Sequence, residues 1–355
     1  MSGAPQAGVG TPRVRVLDAP RRDRLGDTPE ALLAALGGPT VLRIPGRDRR
    51  RARGVATLLH GNEPSGLRAL HAWLRSGAVP AVDLVCFVGA VEAARRPPGF
   101  AHRMLPGRPD LNRCFLPPFA GPEGEIAGEA LRLLREAGCE ALLDLHNNTG
   151  HNPAYGVAKR ADAAVIGLTA LFGERLIVSD LRLGTLVEAT SDHFPSVTIE
   201  CGRAGDPAAD RTALDGLARY AALDAIETRR VTAPRMAILE RPVRVRARPD
   251  VSLAFGEAPV PGATLTLAGD LDRHNFELLL PGVPVGWVAE PETWPLEAHG
   301  ADGEEVSRDW FALRDGLLET RRAGVPIMMT VDPAVARSDC LFYLVRPRDE
   351  REASP

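Results

Sequence analysis

The sequence predicts an α/β protein in which a mainly parallel sheet carries helices on both faces and a smaller β-rich domain follows on the C-terminal side. Three observations predict it. Apolar runs of strand length alternate with stretches of helical period through the first two thirds of the chain. Past about Val231 the helical period fades, and β-rich segments separated by Pro and Gly take over. The 355 residues, 45% apolar and 25% charged with a net charge of -3, match an ordinary globular protein long enough for two domains.

Residues 1–12, rich in Gly, Pro and Ala, read as a loose tail, and 347–355 as another. Strands are expected at Thr40–Ile44, Val55–Leu59, Val82–Val88, Ala141–Leu145, Arg175–Val178 and Ser196–Ile199. Helical period marks Ser65–Leu74, Gly124–Ala137, Ala161–Phe172 and Ala208–Ile226. This alternation implies a doubly covered, largely parallel sheet over 13–230, with function at the carboxyl ends of strands. Over 231–346, Met236–Arg246, Thr264–Leu267 and Leu341–Val345 supply the β-rich domain, and Pro281-Gly282-Val283-Pro284 is turn chemistry.

Composition excludes several chemistries. Lys159 is the sole lysine, and it follows Ala158, so no phosphate-cradling Walker loop exists, and a Schiff-base mechanism would have to use this one residue. The arginines are offset by acids and spread along the chain, which argues against a nucleic-acid partner. Their densest run, Arg47 to Arg53, reads as a solvated turn between strands. Five cysteines with no C-x-x-C spacing argue for buried free thiols rather than a disulfide framework. No signal-like N-terminus and no 18-residue apolar run is present, so the expectation is a cytoplasmic protein without a membrane partner.

Three predicted strand ends are unusually polar: His60-Gly61-Asn62-Glu63, Asp144-Leu145-His146 and Thr198-Ile199-Glu200-Cys201-Gly202. A His and a Glu three apart at a strand-to-helix turn can aim at one point, and strand alternation puts Asp144 and His146 on one face. Two His and one Glu form a recurrent catalytic zinc ligand set with an open fourth position. A carboxylate that is not a ligand can then take a proton from the activated water. His60, Glu63, His146 and Glu200 supply these four roles. Between them lies Asp110-Leu111-Asn112-Arg113, preceded by Arg103 and Arg108. Asn beside Arg suits a substrate carboxylate, an Arg near the metal suits an oxyanion, and Asp110 could orient a ligating imidazole.

Taken together, these residues resemble the succinylglutamate desuccinylase/aspartoacylase family of the zinc carboxypeptidase superfamily. The resemblance extends to Tyr155-Gly156-Val157, Gly184-Thr185-Leu186, Asn275-Phe276-Glu277 and Pro281-Gly282, from about Val55 to Arg346. It implies a zinc carboxypeptidase-like fold and one zinc ion held by His60, Glu63 and His146. Glu200 would be the general base and then the proton donor to the leaving amine, and Asn112 and Arg113 would hold a substrate carboxylate. Arg103 would polarise the scissile carbonyl, with Arg108 the competing candidate, because about two extra residues precede Asp110. The C-terminal domain would sit over the cleft and admit only small substrates.

Departures from the pattern bear on the substrate. Glu188, Thr190 and Asp192 stand where basic residues are expected in relatives that act on dianionic substrates, and Ala336 and Arg337 stand where a tyrosine is expected. An acidic or neutral lining would repel a second carboxylate, which points away from N-acetylaspartate and succinylglutamate. The reading is therefore a zinc-dependent amidohydrolase acting on a small N-acyl amino acid or related N-acyl amine. The alternatives are a metallocarboxypeptidase trimming peptides and a non-catalytic binding protein on the same fold. A homo-oligomer is left open.

Overall fold

The computed structural model describes residues 13–226, 236–338 and 340–347. Among these, twelve strands form one large sheet. Its order is β1 (Arg15–Asp18), β2 (Thr40–Ile44), β4 (Val82–Val88), β3 (Asp48–Thr57), β5 (Cys139–Asn148), β8 (Ser196–Arg203), β6 (Tyr155–Ala158), β7 (Arg175–Val178), β9 (Ala237–Ala247), β17 (Phe342–Pro347) and β16 (Val325–Ile327). A further strand, β13 (Leu296–His299), pairs with β9. A second, five-stranded sheet runs β10 (Leu253–Gly256), β11 (Leu265–Ala268), β12 (Pro284–Val288), β15 (Leu317–Thr320), β14 (Phe311–Arg314).

The centre of the large sheet is parallel, β4-β3-β5-β8, and both of its faces are covered. Alternation along the strands explains the two cores. Val55, Leu143, Leu145, Val197 and Ile199 pack with Leu67, Leu70 and Trp73 of helix Ser65–Ser76 and with Leu217 and Tyr220 of helix Pro207–Ala222. Ala56, Val85, Phe87 and Leu142 face the other way, onto Leu131 and Leu134 of helix Gly121–Glu136.

Strands beyond residue 236 divide between the sheets. β9 joins β7 in parallel and β17 and β16 follow, so the C-terminal region prolongs the large sheet as well as building the small one. The boundary expected at 230/231 and the 1–12 tail lie outside the described residues, as does all of the 347–355 tail except Pro347. No helix among the described residues is long and apolar enough to cross a membrane.

The arginine run corrects one expectation. Rather than a solvated turn, it enters β3, and alternation sets Arg51 and Arg53 on one face. Arg53 is fully buried: Nε donates to Glu140 Oε1 at 2.6 Å, and Nη1 donates to the carbonyls of Tyr220 and Leu223 at the C-terminal end of a helix. Arg51 meets the same carboxylate. The helix carbonyls and Glu140 supply the charge complement that lets a guanidinium leave water. Four of the five thiols are buried, and Cys114 is partly exposed.

Candidate metal centre

His60 and Glu63 sit in the turn between β3 and helix Ser65–Ser76. The chain leaves the strand at Leu58, which is buried at φ +57°, and Gly61 then passes close to a neighbouring segment. A Cβ at Gly61 would lie 2.5 Å from His102 O and 2.6 Å from Ala94 N, so only glycine fits. Gly61 N–H donates to Arg103 O, which ties this turn to the loop that carries Arg103. His146 projects from β5, two residues beyond Asp144 on the same face, and Glu200 stands beside it in the parallel register of β8.

The three expected ligands converge. His60 Nδ1 lies 2.7 Å from Glu63 Oε1, and His146 Nδ1 lies 2.7 Å from Glu63 Oε2. One ligand atom from each of the three falls within 4.8 Å of the others, so the group could hold a metal ion, and all three residues are buried. Behind each imidazole is another acid. His60 Nε2 is 3.0 Å from Asp110 Oδ1. His146 Nε2 is 3.0 Å from Asp144 Oδ2, without the alignment of a hydrogen bond.

This arrangement tests the fit of a cation. A neutral imidazole carries one proton, and a proton on Nε2 of His60 meets Asp110 and leaves a bare lone pair at Nδ1. That lone pair faces a carboxylate at 2.7 Å, a repulsive contact unless a second proton or a cation stands between them. Ring nitrogens and carboxylate oxygens are the donors that zinc and neighbouring divalent ions take.

The same electrostatics act on the carboxylates. Burial raises Glu63, but the imidazoles of His60 and His146 outweigh it and hold the carboxyl well below the usual range. Burial likewise opposes ionisation of Asp110, and His60 and Arg103 reverse it. Burial lowers His146, yet Asp144 and Glu63 carry it well above the ordinary histidine value. Glu200 goes the other way: burial first, then the charge of Glu63, pushes it up to about 7. Its Oε2 is buried with no hydrogen-bond partner among the described residues.

Arg103 reaches this cluster and Arg108 does not. Arg103 donates from Nε and Nη2 to Asp110 Oδ2 and from Nη1 to Glu63 Oε1 at 3.3 Å. Arg108 instead donates to both oxygens of Glu123 at 2.8 Å and borders a separate cavity. Asn112 accepts at Oδ1 from the N–H of Leu186, which turns its amide donors away from that bond. Arg113 donates to Asn112 O, and both residues line the same cavity as the three converging ligands.

That cavity measures about 180 Å³ and is lined by His60, Glu63, Arg103, Asn112, Arg113, His146 and Glu200 among others. Glu188 lines it too, but its Oε2 accepts from the N–H groups of Leu183 and Gly184. Asp192 is exposed and Thr190 is buried against its own helix turn, and neither borders the cavity.

Sequence reasoning missed Asn147, Lys159 and Tyr343. Asn147 accepts from Ser65 N and donates to Ser65 Oγ and Gly202 O, bracing two strand ends and the start of helix Ser65–Ser76 at once. Its position directly after His146 was the available signal. Tyr343, from β17, brings a tyrosine to the cavity from the C-terminal region, while Arg337 is exposed and Ala336 packs in the core.

The fold is a carboxypeptidase-like α/β architecture with a His-Glu-His cluster at the carboxyl ends of parallel strands. More particularly, it is the fold of the solved succinylglutamate desuccinylase/aspartoacylase proteins. Similar structures include the succinylglutamate desuccinylase/aspartoacylase from Rhodobacter sphaeroides, 15% identical over 88% of this chain and 88% of that one, with a TM-score of 0.53. The succinylglutamate desuccinylase from Vibrio parahaemolyticus is 18% identical over 87% of this chain and 86% of its own, with a TM-score of 0.56. Murine aminoacylase 3 is 19% identical over 85% and 97%, with a TM-score of 0.50. No protein-family model matches the sequence, and no curated protein does.

Proposed function

We propose that this protein is a zinc-dependent amidohydrolase that removes the acyl group from a small N-acyl amino acid or related N-acyl amine. One observation carries the reading. Two imidazoles turn Nδ1 toward a single buried carboxylate, each has an acid behind it, and at the next strand end Glu200 Oε2 is buried with no hydrogen-bond partner among the described residues. The shared fold with proteins named desuccinylase and aminoacylase supports it, as does a cavity of about 180 Å³ beside the cluster.

His60, Glu63 and His146 would hold the ion. Bound there, it would supply Lewis acidity toward the carbonyl and lower the pKa of water toward neutrality. Glu200 would take a proton from water at its carboxylate and return it to the departing nitrogen. Arg103, held by Asp110 and Glu63, places positive charge beside the carbonyl oxygen. Asn112 and Arg113 offer an amide and a guanidinium to the substrate carboxylate. Arg108 has no part in this scheme, because Glu123 holds it elsewhere.

The test is a panel of N-formyl, N-acetyl and N-succinyl derivatives of acidic, neutral and basic amino acids, with a peptide mixture beside it. Free amine and bound metal are both measured. Amine release from members of the panel supports the proposal. Trimming of peptides alone would favour a carboxypeptidase, and absence of stoichiometric metal with no turnover would favour a binding protein.

A further inference from the structure

The cavity extends well beyond the metal centre, along β6. This strand pairs antiparallel with β8, so Tyr155 is level with Glu200 and Val157 with Thr198. Lys159, the first residue after β6, therefore lies four residues past the level of Glu200, about 13 Å at roughly 3.3 Å per residue. Both Glu200 and Lys159 line the cavity, and Val157, Ile177 and Leu181 give it an apolar wall. Lys159 is half-buried, and among the described residues its ammonium makes no ion pair or hydrogen bond.

A lysine in this setting needs an explanation. An ammonium beside apolar walls is poorly hydrated and gains from an anion brought to it. Glu188 shares the cavity, but two backbone N–H groups already meet its Oε2. The chain has 43 basic residues, and Lys159 is the one lysine among them. A lysine places a compact point charge on a long stem, the form suited to meeting a single carboxylate at the end of a slot.

Backbone N–H groups hold Glu188, and neither Thr190 nor Asp192 borders the cavity, so these residues do not oppose a second carboxylate as the sequence suggested. We propose that Lys159 binds a terminal carboxylate carried on an extended apolar arm of the substrate, so that ω-carboxylated N-acyl compounds with such an arm are the preferred class. This rests on the deacylase reading above. The arm belongs to the acyl group or to the amine, and matched pairs separate the two sources. N-adipoyl- and N-suberoyl-alanine are compared with N-hexanoyl- and N-octanoyl-alanine, and N-acetyl-2-aminosuberate with N-acetyl-2-aminooctanoate. In one of these sets the ω-carboxylate should raise kcat/KM about tenfold, the size of one charge-assisted contact. Lys159→Met should erase that ratio through KM rather than kcat, and Lys159→Arg should keep most of it. Equal turnover of every matched pair, or an unchanged ratio in Lys159→Met, would overturn the proposal.

Calorimetric binding of suberate and octanoate gives a reading independent of turnover. Suberate should bind about tenfold more tightly, and only while Lys159 is present. If nothing in the panel is hydrolysed but this preference holds, the deacylase reading falls and the role of Lys159 stands. If hydrolysis proceeds and Lys159→Met changes neither ratio, the role of Lys159 falls and the deacylase reading stands.

Discussion

Asp110 Oδ1 lies 3.0 Å from His60 Nε2, while its Oδ2 takes Nε and Nη2 of Arg103. One carboxylate thus fixes the ring of an expected ligand and the arginine proposed to polarise the carbonyl. Asp110→Asn should weaken metal binding about 10- to 100-fold, the usual cost of losing the acid behind a ligating histidine. Zinc titration against a competing chelator measures it. Unchanged affinity would mean that Asp110 does not orient His60.

Gly61 predicts a steric result. Gly61→Ala would drive a Cβ into backbone atoms of the His102 and Ala94 segments, which cannot move as a side-chain end can. Stability should fall by about 1–3 kcal/mol, as in overpacked cores, and metal affinity should fall with it because His60 is the preceding residue. Chemical denaturation and metal titration report the two effects.

The buried guanidinium predicts a large loss far from the site. Removing Glu140 leaves Arg53 in the core with only carbonyl partners. Glu140→Ala should therefore destabilise by on the order of 3 kcal/mol. The double variant Glu140→Ala with Arg53→Met should recover part of that loss, because an uncharged chain carries no desolvation penalty. Denaturant midpoints of the three proteins check this.

The raised Glu200 predicts a pH dependence of stability in metal-free protein. Its folded value of about 7 exceeds the ordinary glutamate value of 4.5, so between these the folded state holds more protons than the unfolded state. Stability must then fall as pH rises through that window. Glu200→Gln removes this slope, so the variant should gain on the parent between pH 5 and pH 8, by about a few degrees in Tm. A Tm difference independent of pH would show that Glu200 is not held protonated.

Much of this was legible in the sequence. Thr40–Ile44, Val82–Val88 and Arg175–Val178 are strands with the predicted ends, because strands inside a covered sheet read as short, mostly apolar runs bounded by turns. The His-Glu-His cluster was legible because its members lie at strand ends, where chain order and alternation fix direction. The arginine run was misread because charge density suggests solvent, and only the pairing of β3 with β5 and the helix carbonyls beside it supply Arg53 with partners. Lys159 was visible only as an exclusion. Its place in the cavity depends on β6 running antiparallel to β8, a reversal that no local pattern announces. Arg103 and Arg108 could not be separated by spacing, since Glu123, fifteen residues beyond Arg108, decides the matter.

In the proposed function, Glu200 moves the proton at a metal centre made by His60, Glu63 and His146. The most direct measurement is turnover and bound metal in Glu200→Gln, assayed on the best N-acyl substrate. Metal content should stay full while the rate falls at least about 100-fold, the loss expected when a general base is removed. Near-normal turnover in that variant, with metal retained, would contradict this role for Glu200.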